Sequence, residues 1–348
     1  MKAYVLHAVN DLRYDDVSMP DCPEGWAIVE VKAAGICSSD IARIFSKGTY
    51  HFPTIPGHEL SGMVKSVGCE SDNCWIDKKV GIFPLIPCRS CPQCNEKHYE
   101  MCANYDYVGS RRDGGFAEYV AVPVWNLIEL PNNIRYEEAA MLEPLSVALH
   151  AIKAGKVREG DSVAIIGTGM IGIAAGQWAK KFGAKNVTVI GRNENKRCFI
   201  ENCGLDYKVC TQNDVMEEYD FVLEAVGTSS AVETSISCCK AGGRLLLMGN
   251  PSGDMHISQN VYWRILRKQL TVKGTWNSSY DGKNESDWTE SVRALSMGEI
   301  KVHSLISHCF KQEELMQGLD LMKKHDEPYC KVMTLWNVYK RKVKFLRQ

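Results

Sequence analysis

The stretch from Asp161 to Arg192, DSVAIIGTGMIGIAAGQWAKKFGAKNVTVIGR, decides the fold of this chain. It opens with the apolar run SVAII, turns through glycines, continues with apolar residues at helical spacing, and closes on a second apolar run, NVTVIG. A short β-branched run with no polar face describes a strand covered on both sides, as in a parallel sheet. The same alternation continues through YDFVLEAVG and AGGRLLLMG, so the inner part of the chain is predicted to be α/β, a doubly wound parallel sheet with helices on both faces.

Within that stretch Gly167, Thr168, Gly169, Met170, Ile171 and Gly172 form a GxGxxG turn that follows a strand and opens a helix. In this setting the glycines permit a tight turn and let the backbone approach a pyrophosphate held at the helix N-terminus. Versions that bind NAD usually end the second strand with an acid for the ribose hydroxyls. Here Gly191 stands at that place and Arg192 follows. Without a carboxylate nothing repels a 2′-phosphate, and a guanidinium can pair with it, so NADP(H) is favoured over NAD(H) unless Arg192 simply points into solvent.

Outward from this core the texture changes. From Met1 to about Tyr119, short alternating runs such as KAYVL, WAIVEVKAAGIC and ELSGMVKSVG are broken by Gly, Pro and Asp, the pattern of an irregular antiparallel β domain. RYEEAAMLEPLSVALHAIKAGKV carries helical spacing, with an interruption expected near Pro144. After about Thr275 mixed segments return and can rejoin the first domain. The final VYKRKVKFLRQ, with Lys340, Arg341, Lys342, Lys344 and Arg347, is read as a solvated basic tail.

With 348 residues, two domains are the natural expectation. The 41 basic and 42 acidic residues leave a net charge of −1, which gives no electrostatic reason to expect nucleic acid or a membrane surface as partner and points instead to a small molecule. No apolar run suits a signal sequence or a membrane span, and the 15 cysteines are mostly scattered, so a soluble protein of a reducing cytoplasm is expected.

Four of those cysteines, Cys88, Cys91, Cys94 and Cys102, crowd into PCRSCPQCNEKHYEMC. Two C-x-x-C steps sharing Cys91, with a fourth thiol eight residues on, suit a closed tetrahedral zinc site of structural type. A disulfide pair is the main alternative and a redox C-x-x-C a lesser one, since the Pro-rich loop lacks the strand and helix such a motif needs.

Three further residues offer borderline ligands. Cys37 in GICSSD and His58 in PGHELSG fall near strand ends, and Glu143 lies in MLEPLS. Together they would hold zinc with one position open to a substrate oxygen. Singly, each has an ordinary explanation: a buried thiol, a core histidine, a helix-start carboxylate. Glu59 beside His58 is a second carboxylate, able to ligate directly or to exchange with Glu143, and spacing does not choose between them.

The order Cys37, GHE, four-cysteine loop, Glu143, glycine turn resembles the zinc-dependent medium-chain alcohol and polyol dehydrogenases over nearly the whole chain. GSRRDGGFAEY and ILRKQLTVKGTW look most like the sugar-alcohol branch of that family. The resemblance implies a GroES-like catalytic domain from residues 1–147 and 277–348, a Rossmann domain from 148–276 inserted in it, an active site in the cleft, and a homodimer or homotetramer. It implies two Zn²⁺ per chain, a catalytic ion on Cys37, His58 and Glu143 with Glu59 adjacent, and a structural ion on the four clustered cysteines. Ser39 falls where the family keeps a hydroxyl for proton relay. Ser38 replaces the usual Gly or His, a small departure, whereas Gly191 departs at the residue that normally selects NAD.

The reaction so implied is hydride transfer between NAD(P) and a secondary alcohol of a polyol or sugar phosphate. Arg111 and Arg112 are candidates for the phosphate, against an ordinary role as turn arginines. The alternatives are L-threonine or simple-alcohol oxidation or, in another class, a dinucleotide-binding structural protein that has lost its catalytic zinc.

Overall fold

A computed structural model of the chain describes residues 1–192, 194–210, 218–251, 253–282 and 285–337. The basic tail therefore lies outside the described residues.

The inner region forms a six-stranded sheet in the order Asp206–Val209, Asn186–Gly191, Ser162–Ile166, Tyr219–Glu224, Cys239–Leu247, Thr271–Gly274, with every pairing parallel. Period-two geometry explains why SVAII is apolar throughout. Val163 and Ile165 enter the core on one face with Leu145, Leu149 and Trp178, while Ala164 and Ile166 enter the core on the other with Val232 and Ile236. Trp178, fully buried, donates its indole N–H to the Leu145 carbonyl at 3.1 Å and ties helix Met170–Lys181 to helix Leu142–Ala154.

Chain order runs from the Ser162–Ile166 strand to its neighbours on one side, then crosses back to Tyr219–Glu224 on the other. That switch point opens a crevice at the carboxyl end of Ser162–Ile166, where the glycine turn sits.

The second sheet is mainly antiparallel. Its order is Ile306–Lys311, Lys331–Leu335, Trp26–Ile36, Glu59–Val67, Lys79–Ile82, Leu127–Glu129, and Tyr119–Pro123 pairs with the first half of Trp26–Ile36. Both chain ends thus build one sheet, since Val332 to Leu335 pair with Ile36 to Ala33. Tyr280 and Trp288 join the same side, their rings 5.1 and 5.4 Å from Phe83.

The helical stretch after Ile134 breaks earlier than the sequence suggests. Helix Tyr136–Ala139 ends, Ala140 and Met141 intervene, and Leu142–Ala154 begins. Pro144 lies inside the first turn of that second helix, where its missing N–H leaves no intrahelical bond unmade, so it starts a helix instead of interrupting one. No helix among the described residues is long and apolar enough to cross a membrane.

Candidate active site

Strand Trp26–Ile36 delivers Cys37 to the edge of the cleft, and helix Ser38–Ala42 starts on it. Asp40, fully buried, turns back to accept the Cys37 backbone N–H at 3.0 Å. The other oxygen of Asp40 accepts from Arg43 at 2.8 Å and faces His58 Nδ1 at 3.5 Å. At that separation Nδ1 makes no hydrogen bond, so the Asp40 carboxylate acts on the imidazole by its charge.

Glu59 opens strand Glu59–Val67 opposite Gly35, two residues before Cys37. A side chain at Gly35 would collide with the Glu59 carboxylate, so that glycine makes the space in which the acid reaches the site. Ligand atoms of Cys37, His58 and Glu59 lie within 4.8 Å of one another, a spacing that fits one ion. Lys331, buried at 4% exposure, donates to Glu59 at 2.5 Å.

Glu143 stands outside that set of three. It is buried in the first turn of helix Leu142–Ala154 and accepts the Tyr107 hydroxyl at 3.2 Å. Burial, reinforced by Glu59 and opposed by His58, raises its pKa to about 7. The sequence offers Glu143 as third ligand with Glu59 adjacent; the geometry groups Glu59 with Cys37 and His58 and leaves Glu143 beside them. Immediate succession to His58 and pairing with Gly35 fix Glu59, whereas Glu143 depends on how one helix docks. Burial opposes a charge on His58, but Asp40 and Cys37 together hold its pKa well above the ordinary value, so an ion binding there displaces a proton.

In the cysteine loop the Cys88 and Cys94 sulfurs are 3.9 Å apart, as are those of Cys91 and Cys102. A tetrahedron of ~2.3 Å zinc–sulfur bonds has edges of about 3.8 Å, whereas a disulfide brings sulfurs to about 2 Å. All four thiols are free of disulfides, and the set fits zinc with no open position. Hydrogen bonds from the backbone and hydroxyl of Ser90 pull Cys88 down to about 5, while burial pushes Cys94 up to about 12.

The glycine turn meets the metal-ligand group across one cleft. A cavity of about 510 Å³ is lined by Cys37 and Glu59 on one wall and by Thr168 to Gly172 on the other. A second cavity, of about 430 Å³ around Gly167 and Thr228, shares Thr168, Gly169, Arg192 and Ala225 with it. Gly167 has φ +130°, and a side chain at Gly172 would strike the Gly167 carbonyl, while a Cβ at Gly169 would meet nothing within 4 Å. That open space beside a helix N-terminus is the cradle a pyrophosphate needs.

At the ribose end, a Cβ on Gly191 would approach Thr168 Cγ2 and the Tyr207 hydroxyl at 2.5 Å each, so no carboxylate fits there without rearrangement. Arg192 is exposed and lines both cavities.

Ser39 lies two residues after Cys37 and lines a separate cavity of about 380 Å³. Arg111 and Arg112 do not reach the Cys37 cavity. Arg111 donates to the Tyr105 carbonyl at 2.8 Å and stacks on Tyr50 and Tyr105, and Arg112 pairs with Asp106 and lies over Trp26. The turn that carries them packs both side chains on neighbouring aromatic rings.

Three residues of the site escaped sequence reading. Asp40 left a signal, an acid three residues after Cys37 at a helix start. Tyr107 and Lys331 left none, since Lys331 is 272 positions from Glu59 in the chain.

Two family descriptions match the chain: Alcohol dehydrogenase GroES-like domain over residues 23–132, and Zinc-binding dehydrogenase over residues 171–297. The chain belongs to the zinc-dependent medium-chain dehydrogenase family, enzymes acting on CH–OH donors. Among its relatives is galactitol 1-phosphate 5-dehydrogenase of Escherichia coli K12, 34% identical over 301 residues, covering 84% of this chain and 87% of the relative. The crystal structure of galactitol-1-phosphate dehydrogenase from Escherichia coli has a TM-score of 0.88 and 32% identity, covering 96% of this chain and 100% of that one. A zinc-binding dehydrogenase from Sinorhizobium meliloti bound to NADP has a TM-score of 0.86 and 26% identity, covering 96% and 98%.

Proposed function

We propose that this zinc-dependent dehydrogenase interconverts a secondary alcohol and ketone of a polyol or sugar phosphate, of the galactitol 1-phosphate type, with NADP(H) preferred. The observation that carries the reading is the single cleft with Cys37 and Glu59 on one wall and the glycine turn on the other. Retention of the three clustered ligands speaks against a merely structural dinucleotide-binding protein.

Zinc, when held by Cys37, His58 and Glu59, supplies Lewis acidity to a hydroxyl, and the nicotinamide supplies the hydride acceptor. Asp40 sets a negative charge beside the His58 ring, and Lys331 holds Glu59 in place. Ser39 takes and passes on the hydroxyl proton in this scheme. Glu143, near pKa 7 and bonded to Tyr107, exchanges with Glu59 as a ligand or holds a proton beside it. Gly167, Gly169 and Gly172 position the pyrophosphate, and Arg192 pairs with the 2′-phosphate.

Turnover of galactitol 1-phosphate, sorbitol, L-threonine and a short secondary alcohol, each with NAD and NADP, tests the substrate and cofactor together. The polyol phosphate with NADP is expected to give the highest kcat/KM; preference for L-threonine or a short alcohol would replace the substrate reading. Arg192→Ala is expected to lower the NADP over NAD ratio by about tenfold, the scale of one charge-assisted pair.

The assembly proposed is a homodimer or homotetramer built on the outer edge of the parallel sheet. Edge strand Thr271–Gly274 is exposed along its length, and Tyr262, Trp263, Leu266 and Trp276 stand 42–56% exposed around it. An exposed apolar edge of this kind is a site for pairing with another copy.

A further inference from the structure

Apart from Ser39 itself, the residues of the cavity beside it take no part in the alcohol chemistry described above. It is lined by Ser39, Arg43, Lys47, Thr49, Tyr50 and Asn250, two cations and four neutral polar groups, with no acid among its described lining residues. It shares no lining residue with the cavity around Gly167, so it is not the dinucleotide's pyrophosphate site. We propose that it is the substrate's phosphate subsite, taking a phosphate monoester whose carbinol carbon lies at Cys37 and Glu59. The proposal rests on the polyol-phosphate reading given above and specifies where that phosphate is held.

Position supports it. Ser39 is two residues from Cys37, and one oxygen of Asp40 holds Arg43 Nη1 at 2.8 Å while facing the metal-ligand candidate His58 at 3.5 Å. Asn250 comes from the parallel-sheet region just after strand Cys239–Leu247, so the cavity, like the active-site cleft, is bounded by both halves of the molecule. Ser38 lines the Cys37 cavity and its neighbour Ser39 lines this one, so the start of helix Ser38–Ala42 borders both.

The local backbone is shaped for it as well. Helix Ser38–Ala42 passes into a π turn, Arg43–Lys47, closed by the Gly48 N–H to the Arg43 carbonyl at 3.1 Å. Such turns recur at functional sites. Gly48 then takes φ +76°, with Phe52 and Val9 already 3.3 Å from where a Cβ would stand, and the chain reverses to bring Thr49 and Tyr50 onto the cavity. Thr49 is fixed by donating to the Ser110 carbonyl at 2.6 Å, and Tyr50 by the Arg111 guanidinium 4.2 Å above its ring. Arg111 thereby acts as a support for Tyr50. Lys47 has no ion-pair partner among the described residues, so its charge is available to an anion.

The test compares kcat/KM for galactitol 1-phosphate and galactitol in the zinc-loaded enzyme, its Lys47→Ala and Lys47→Glu variants, and Asn250→Ala. Lys47→Ala is expected to lower the phosphate-ester over free-polyol ratio about tenfold, mainly through KM, and Lys47→Glu further, because a charge-assisted contact to phosphate is being lost and then reversed. An unchanged ratio in both Lys47 variants, or a wild type that handles galactitol as well as its phosphate, would overturn the subsite. If neither compound is turned over while another secondary alcohol is, the substrate reading fails on its own. Calorimetric titration of inorganic phosphate then decides the subsite: binding lost in Lys47→Glu supports it, and absent or unaltered binding rejects it.

Discussion

A methyl group at Gly172 would run into the Gly167 carbonyl, whereas one at Gly169 would meet only open space. The two glycines of one motif therefore answer to different physics, helix–strand packing and ligand approach. Gly172→Ala is expected to cost about 1–3 kcal/mol of stability, the usual penalty for overpacking, and to lower the melting temperature with or without cofactor. Gly169→Ala should leave the stability of the cofactor-free protein within about 0.5 kcal/mol of wild type while raising the Kd for NADPH. Thermal melts paired with cofactor titration distinguish these outcomes. At this scale the sequence was most legible where chemistry is local: the glycine turn and the four cysteines carry their own spacing. The choice between Glu59 and Glu143 was not legible, because it turns on the docking of helix Leu142–Ala154 against strand Glu59–Val67.

Helix Asp287–Ser296 is anchored to helix Leu142–Ala154 through one buried acid. Asp287 is hydrogen-bonded to His150 at 2.8 Å and to Lys153 at 3.0 Å, and it accepts the Ser279 backbone N–H at 2.8 Å. Burial opposes its charge, but His150, Lys153 and that N–H win and hold its carboxyl below the usual range. The lowered folded-state value means the stabilisation is complete above the unfolded carboxylate pKa near ~3.9 and is lost as pH falls through the folded value. Asp287→Asn is expected to cost about 1–3 kcal/mol at pH 7, since His150 loses its buried partner while Lys153 keeps Glu290 at 2.7 Å. The deficit should shrink below about pH 4, a trend that denaturant melts across pH would reveal. None of these contacts could be read from sequence, where Asp287 looks like a helix-start acid among others. What could be read was each element's existence, and the misplaced break near Pro144 shows the limit: a proline marks a helix boundary without saying on which side the helix lies.

At the scale of the molecule, the parallel sheet was legible because its strands follow one another in sequence with helices between. The antiparallel sheet was only half legible, since strands Ile306–Lys311 and Lys331–Leu335 close it from the far end of the chain and carry Lys331 to Glu59. The assembly proposed for the Thr271–Gly274 edge makes a direct prediction: Val272→Lys combined with Trp263→Glu should shift the protein from oligomer to monomer in sedimentation or light scattering, with its secondary structure retained. The account as a whole depends on Cys37, His58 and Glu59 meeting at one ion that faces the nicotinamide cleft. Zinc content per chain, measured together with turnover on wild type and Cys37→Ser, tests that most directly. Two zinc ions in the wild type, one in the variant, and a loss of turnover of at least about a thousandfold with NADPH binding retained are predicted. A variant that keeps both its zinc content and its turnover would contradict the account.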